Sequence, residues 1–273
     1  MPRLFNIAIV QPLAGAWAHV FDDVARLLQA SLRTLGHAAM IRYGQVDPSA
    51  QNISLGYHLL KEPEQLRDMI VYQFEPLGLP GTARYLPHRL ELLRAAREIW
   101  EYSEVNLAFL QSQGITNAKL LPLGYHPDLE TIPNLADEPI DVLFYGVPAD
   151  RRVAPVEELN RRCKFRLLFG VYGPERDQVI AQSKIVLNMH CQDNQPFEQA
   201  RVSYLLNNSR FVVSESSPDD PYPGATAMVP WEHLVVTCLD FLAKPREREG
   251  IARRGHELLK KMPMPELLAG VLD

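Results

Sequence analysis

The side chains best suited to chemistry gather in the second half of the chain. Residues 184–216 read KIVLNMHCQDNQPFEQARVSYLLNNSRFVVSES and bring together His190, Cys191, Asp193, Glu198, Arg201, Ser214 and Glu215. Upstream, Gly146 closes the apolar run IDVLFYG, and Arg151 and Arg152 follow it. Arginines near the start of a helix bind anions, because their charge adds to that of the unpaired backbone N–H groups. A carboxylate such as Glu198 accepts two hydroxyl protons at once. Placed just ahead of a helix it also complements the macrodipole, with or without a ligand. In the first half, His19 lies at the start of a helical pattern, and its ordinary pKa suits proton transfer near neutrality. Asp22 and Asp23 beside it fit capping electrostatics equally well. Glu75 follows another apolar run. His190, Cys191 and Asp193 lie close together, but their spacing matches no standard metal site.

Several chemistries are excluded by missing motifs. Gly15 stands alone after the first apolar run, so there is no dinucleotide-binding fingerprint, and no P-loop occurs. There is no nucleophile elbow, no HExxH and no Asp-x-Asp pair to hold a divalent ion against a diphosphate.

The elements that must position these residues follow from periodicity. FNIAIVQ (5–11) is a buried parallel strand. Val20, Val24, Leu27, Leu28, Leu32 and Leu35 mark one helix face, and Gly36 is a natural stop. AAMIRY (38–43) is a second strand, so the chain opens β-α-β. Residues 44–64 are polar and irregular. Strands follow at 69–75, 98–103 and 118–125, with helices over 86–97 and from Ser103, a natural cap, to Leu110. Residues 126–139, rich in Pro and acids, form a linker. The alternation then restarts with strands at 140–146, 165–173, 184–190 and 210–216. Helices fall at 154–163, within ERDQVIAQS, at 200–208, from near 232, and over 246–262.

The expectation is an α/β fold of two Rossmann-like parallel-sheet lobes facing a cleft. The first spans residues 1–130 and the second 131–273, with the terminal helix able to cross back. Ligands of such sheets bind beyond the C-terminal strand ends. Trp17, Trp100 and Trp231 serve either stacking on a sugar or base, or packing.

The chain has 273 residues, a net charge of −5 from 28 basic and 33 acidic residues, and 47% hydrophobic residues, an ordinary globular composition. Mild acidity with no basic block argues against strong non-specific nucleic-acid binding. No apolar run is long enough to span a membrane. The three cysteines are odd in number and widely spaced, which points to a reducing cytoplasm.

The scattered runs KIVLN-x-H, F-E-x-x-R, YLLxN and VVSE (Lys184–Glu215), with DVLFYG…RR (141–152), VYQFEPL (71–77), IWEYS-x-x-N (99–106) and LPLGY (121–125), carry a resemblance. They resemble the GT-B glycosyltransferases, and within them the bacterial group-one-like (CgeB-like) proteins. The resemblance implies a compact GT-B fold and transfer of a sugar from a nucleotide-sugar donor, with no cofactor and no metal. It implies that the second lobe holds the donor, through Gly146, Arg151, Arg152, His190, Glu198, Arg201, Ser214 and Glu215. Arg151, Arg152 and Arg201 would meet the diphosphate, Glu198 the ribose or sugar hydroxyls, and Ser214 a phosphate. The first lobe would hold an acceptor of unspecified class, with His19 or Glu75 as catalytic residues. Two further readings compete: a non-catalytic nucleotide- or glycan-binding lobe pair, and a nucleotide-sugar epimerase.

Overall fold

The computed structural model describes residues 1–10 and 19–272. Gly15, Trp17 and most of the loop from Gln11 to His19 lie outside the described residues. The chain divides into two compact lobes, Met1–His126 with Pro263–Asp273, and Pro127–Met262. Each is built on one parallel sheet. Among the described residues no helix is long and apolar enough to cross a membrane.

The first lobe carries β1 (Leu4–Ile9), α1 (Asp22–Thr34), β2 (Ala38–Tyr43), β3 (Gln51–Leu55), β4 (Ile70–Gln73), α2 (Leu86–Ala95), β5 (Glu98–Glu101), α3 (Glu104–Ser112) and β6 (Ala118–Leu120). Its strand order is β2-β1-β3-β4-β5-β6. Ser103 caps α3, its Oγ accepting from the Asn106 N–H at 3.4 Å. The segment from Pro263 belongs to this lobe. The Met264 N–H donates to the Tyr125 carbonyl at 2.8 Å, and α9 (Met264–Ala269) packs on α1.

β3 is the main departure from the periodicity, which leaves residues 44–64 irregular. The strand lies inside the sheet, between β1 and β4. Its polar residues hide it. Asn52 pairs in register with Asn6 of β1, and its Oδ1 accepts from Asn6 Nδ2 at 2.8 Å. Its Nδ2 donates to the carbonyls of Asp47 and Ala50 at 2.8 and 3.1 Å. A buried amide joined this way costs little, so a central strand need not be apolar throughout.

The second lobe carries β7 (Ile140–Tyr145), α4 (Asp150–Arg162), β8 (Phe165–Leu168), α5 (Gly173–Ala181), β9 (Ser183–Asn188), α6 (Gln199–Asn207), β10 (Val212–Glu215), β11 (Ala227–Val229), α7 (Leu234–Leu242) and α8 (Pro245–Lys260). The order is β11-β10-β9-β7-β8. The chain steps outward from β7 to β8, then returns to the other side of β7 as β9. The strand order therefore reverses between β7 and β9, where such sheets bind ligands. α4 starts at Asp150, four residues before the periodicity places it, so Arg151 and Arg152 occupy its first turn. Asp150 there suits the positive end of the helix. β11 also escapes the periodicity, being three residues long at the sheet edge.

The core of this lobe joins Val142, Phe144, Ile185, Leu187 and Val213 of the strands to Leu159, Leu234 and Cys238 of the helices. α6 is held from behind by α8, where a methyl group added to Gly255 would lie 2.5 Å from the Ala225 carbonyl oxygen and 2.8 Å from Leu206 Cδ2. Backbone cannot yield as a side-chain tip does. Gly255→Ala is therefore expected to lower stability by about 1–3 kcal/mol through overpacking. Gly250→Ala, in the same helix with nothing within 4 Å, is expected to raise it by about 0.5–1 kcal/mol. Urea unfolding of the two variants measures both signs.

Candidate functional site

β7 and β9 end side by side, and the loops and helices that follow them carry most of the charged residues singled out above. Glu198 precedes α6, and its carbonyl accepts from the N–H groups of Arg201 and Val202 at 3.2 and 3.0 Å. Its carboxylate is the hub. Oε2 pairs with Arg201 of the same helix. Oε1 accepts from Arg152 at 3.2 Å and from Gln195 Nε2 at 3.3 Å. Burial alone pushes this carboxyl upward, but Arg201, His190 and Arg152 together bring it down to about 2.

The two arginines differ in exposure. Arg152 is 2% exposed. It donates to the carbonyls of Val147, at 2.9 Å, and Met189, and lies over the Phe144 ring. Burial lowers its pKa. It braces the loop after β7 against the end of β9. Arg201 donates to Asn188 Oδ1 at 2.6 Å and sits near the rings of Phe144 and Tyr145. Gly146 makes room for it. Its φ is +151°, and an added methyl group would fall 2.9 Å from an Arg201 terminal nitrogen.

Arg151 is engaged at every nitrogen. Its two terminal nitrogens grip the Glu215 carboxylate at 2.5 and 2.8 Å, and Nε donates to Asp193 at 2.8 Å. The guanidinium stacks on Trp231, 3.7 Å from the ring centre. Glu215 also accepts from the His190 N–H at 2.9 Å. Ser214 is fully buried, donating to the Glu215 carbonyl at 3.1 Å and accepting from Asn188 Nδ2 at 3.0 Å. Asn188 thus links Arg201 to Ser214. It lies within the KIVLN-x-H run, but its apolar neighbours make it read as interior strand. All eight residues of the second lobe fall at or one residue away from this cluster.

The cluster is not saturated. Arg152 Nε, Arg201 Nε and His190 Nδ1 are buried and make no hydrogen bond. Arg152 and Arg201 both face the one carboxylate of Glu198, beside the first turns of α4 and α6, while Arg151 is matched by Glu215 and Asp193. Among the described residues, no group of three or more His, Cys, Asp or Glu is arranged to hold a metal.

His19 and Glu75, the two candidates in the first lobe, each belong to a histidine–carboxylate pair. His19 Nδ1 lies 2.8 Å from Asp22 Oδ2 at the start of α1. The other Asp22 oxygen accepts from the Tyr43 hydroxyl at 3.0 Å, and burial with this carboxylate contact pushes Tyr43 up to about 12. His19 is half exposed. Glu75 is more confined. Arg89 holds one of its oxygens at 2.8 Å, and His58 Nδ1 lies 3.3 Å from the other. His58 follows the unforeseen β3, so the sequence offered no reason to place it here. Burial lowers the His58 pKa more than Glu75 raises it. Trp100 is wholly buried, edge-on to Tyr72.

Beneath Glu75 lies a buried acid, Glu101, at the end of β5. It accepts from the Ser103 N–H at 3.0 Å, Gln73 Nε2 at 3.1 Å and Asn106 Nδ2 at 3.2 Å. Burial outweighs these bonds and pushes its pKa from 4.5 to about 8.

Comparison with known proteins bears on the fold. No protein-family model matches the chain, and no curated protein matches it. Solved structures do. Sucrose-phosphate synthase from Thermosynechococcus elongatus superposes with a TM-score of 0.62 at 14% identity, over 97% of this chain and 98% of the other. Trehalose 6-phosphate synthase from Burkholderia multivorans gives 0.62 at 10%, over 100% and 98%. Anabaena HepE in complex with UDP and glucose gives 0.62 at 11%, over 98% and 99%. The fold is that of the GT-B glycosyltransferases. At these identities the likeness extends to the fold alone.

Two outcomes are expected. Glu198→Ala, which strands the buried Arg152 guanidinium and the partly buried Arg201, is expected to cost about 3–5 kcal/mol in urea unfolding, and Glu198→Gln less. Glu101 works in the opposite sense to a paired acid. Its raised pKa means that the folded lobe keeps a proton the unfolded chain releases, so its contribution is full below pH 4.5 and fades toward about 8. Stability measured against pH is expected to fall across that window, and Glu101→Gln to remove the slope.

Proposed function

We propose that this chain is a metal-independent glycosyltransferase that takes a sugar from a nucleotide-sugar donor. The likeness of its motifs to the group-one-like (CgeB-like) proteins favours that branch. The observation that carries the reading is the cluster at the reversal of the second sheet. It holds two guanidiniums on one carboxylate kept ionised, unpartnered buried N–H donors, and the first turns of α4 and α6. That is the chemistry a nucleoside diphosphate leaving group and its hydroxyls require. The complex of HepE with UDP and glucose, a structure of the same fold, supports the choice of donor.

In this reading Arg201 meets the developing charge of the diphosphate. Glu198 accepts hydroxyl protons of the ribose or sugar. Arg152 and the Arg151–Glu215 pair act indirectly, the first keeping Glu198 ionised and the second holding the backbone at His190. Ser214 acts through Asn188 rather than on phosphate directly. The acceptor belongs to the first lobe. His19, whose Nδ1 lies against Asp22, is its base and takes the acceptor hydroxyl proton as the acceptor oxygen bonds to the anomeric carbon and the diphosphate departs. Glu75, tied by Arg89 and His58, is the second candidate.

A thermal-shift panel of UDP, GDP, CDP, dTDP and ADP, each with EDTA, tests the donor site. A nucleotide at 100 times its Kd is expected to stabilise the fold by about 2.7 kcal/mol. Arg201→Ala is expected to remain folded and lose that response. A response to none of the five would refute the reading. Binding without turnover of the matching nucleotide sugar would identify a binding module instead, and release of free sugar without an acceptor an epimerase.

A further inference from the structure

The loop after β10 reaches back to His190. Ser217 Oγ lies 2.8 Å from His190 Nε2. Two residues on, Asp219 Oδ1 accepts from the Phe197 N–H at 2.9 Å, and Tyr222 packs edge-on against the Phe197 ring. The segment 217–222 is therefore fastened to both ends of the stretch that leads from β9 to Glu198. His190 itself is fully buried. Its backbone N–H is held by Glu215, and its Nδ1 lies 3.9 Å from Glu198 Oε1 with no hydrogen bond of its own.

A neutral imidazole carries one proton, on one of two nitrogens. A lone pair on Nδ1 would face an ionised carboxylate and be repelled, whereas an Nδ1–H is attracted to it. The proton then belongs on Nδ1, and Nε2 must accept. Ser217 is the group placed to donate to Nε2. We propose that Ser217 is a positioning residue. Its hydroxyl fixes His190 in the Nδ1–H tautomer and so keeps a buried N–H donor turned toward Glu198 and the donor nucleotide. The tautomer does not depend on the function proposed above; its consequence for nucleotide binding does.

Nitrogen-15 NMR of the histidine rings reads the tautomer without any ligand. In the wild-type chain His190, assigned by its loss in His190→Gln, is expected to show a protonated Nδ1 and an unprotonated Nε2. Ser217→Ala is expected to mix the tautomers, and Ser217→Thr, which keeps the hydroxyl, to restore the wild-type pattern. Affinity for whichever of UDP, GDP, CDP, dTDP or ADP stabilises the wild type is expected to fall about three- to ten-fold in Ser217→Ala and to recover in Ser217→Thr. A wild-type His190 protonated at Nε2, or an unchanged pattern in a folded Ser217→Ala, would overturn the inference. The expected tautomers with no nucleotide bound by the wild type would uphold the role of Ser217 and refute the donor-site reading.

Discussion

A charged carboxylate inside a protein must be surrounded by compensating charge, and in this molecule Glu198 imposes that requirement. An isolated buried carboxylate would take up a proton. Arg152 reaches it from α4, Arg201 from its own helix, and His190 from the end of β9. Each of these partners needs a support of its own. Arg152 is fixed by two carbonyls, Arg201 by Asn188, and His190 by Glu215 and Ser217. Glu215 in turn is gripped by Arg151, which rests on Trp231. The polar groups around Glu198 thus form one connected set that begins at a single ionised group.

Close backbone approach makes that set possible. Gly146 lets the Arg201 guanidinium lie against the end of β7, and Gly255 lets α8 press on the backbone beside α6. Both fix the place of α6, which carries Arg201 and begins directly after Glu198. The first lobe solves a related problem differently. Glu101 is buried without a cation among its hydrogen-bond partners and receives only N–H groups, so burial prevails and raises its pKa. Two buried acids therefore shift in opposite directions, and the presence of guanidinium partners is what separates them.

Much of the fold was legible because apolar runs and helical spacing report burial directly. β1, β2, β4, β5, β7, β9 and β10 all lie where the runs are. β3 was not legible, since Asn52 and Ser54 break the apolar pattern and their burial depends on a partner strand 46 residues away. The start of α4 was missed because Asp150, Arg151 and Arg152 look like a solvated loop. Their helical conformation becomes evident only once Arg152 is seen to turn inward. The residues of the second-lobe cluster were found by type and position after strands, yet their division into hub, brace and lock was invisible.

What the sequence determined by itself is the alternation of strand and helix, the doubling of that pattern into two α/β halves, and the set of polar residues at strand ends. Those properties are local: each depends on spacing within about ten residues. What only the tertiary structure decided is which charges meet. The pairing of Arg152 with Glu198 spans 46 residues and that of Arg151 with Glu215 spans 64. Neither contact is implied by spacing, because both arise from the order in which parallel strands stack, with β9 returning to the far side of β7. The reversal that creates the site is a property of the whole sheet.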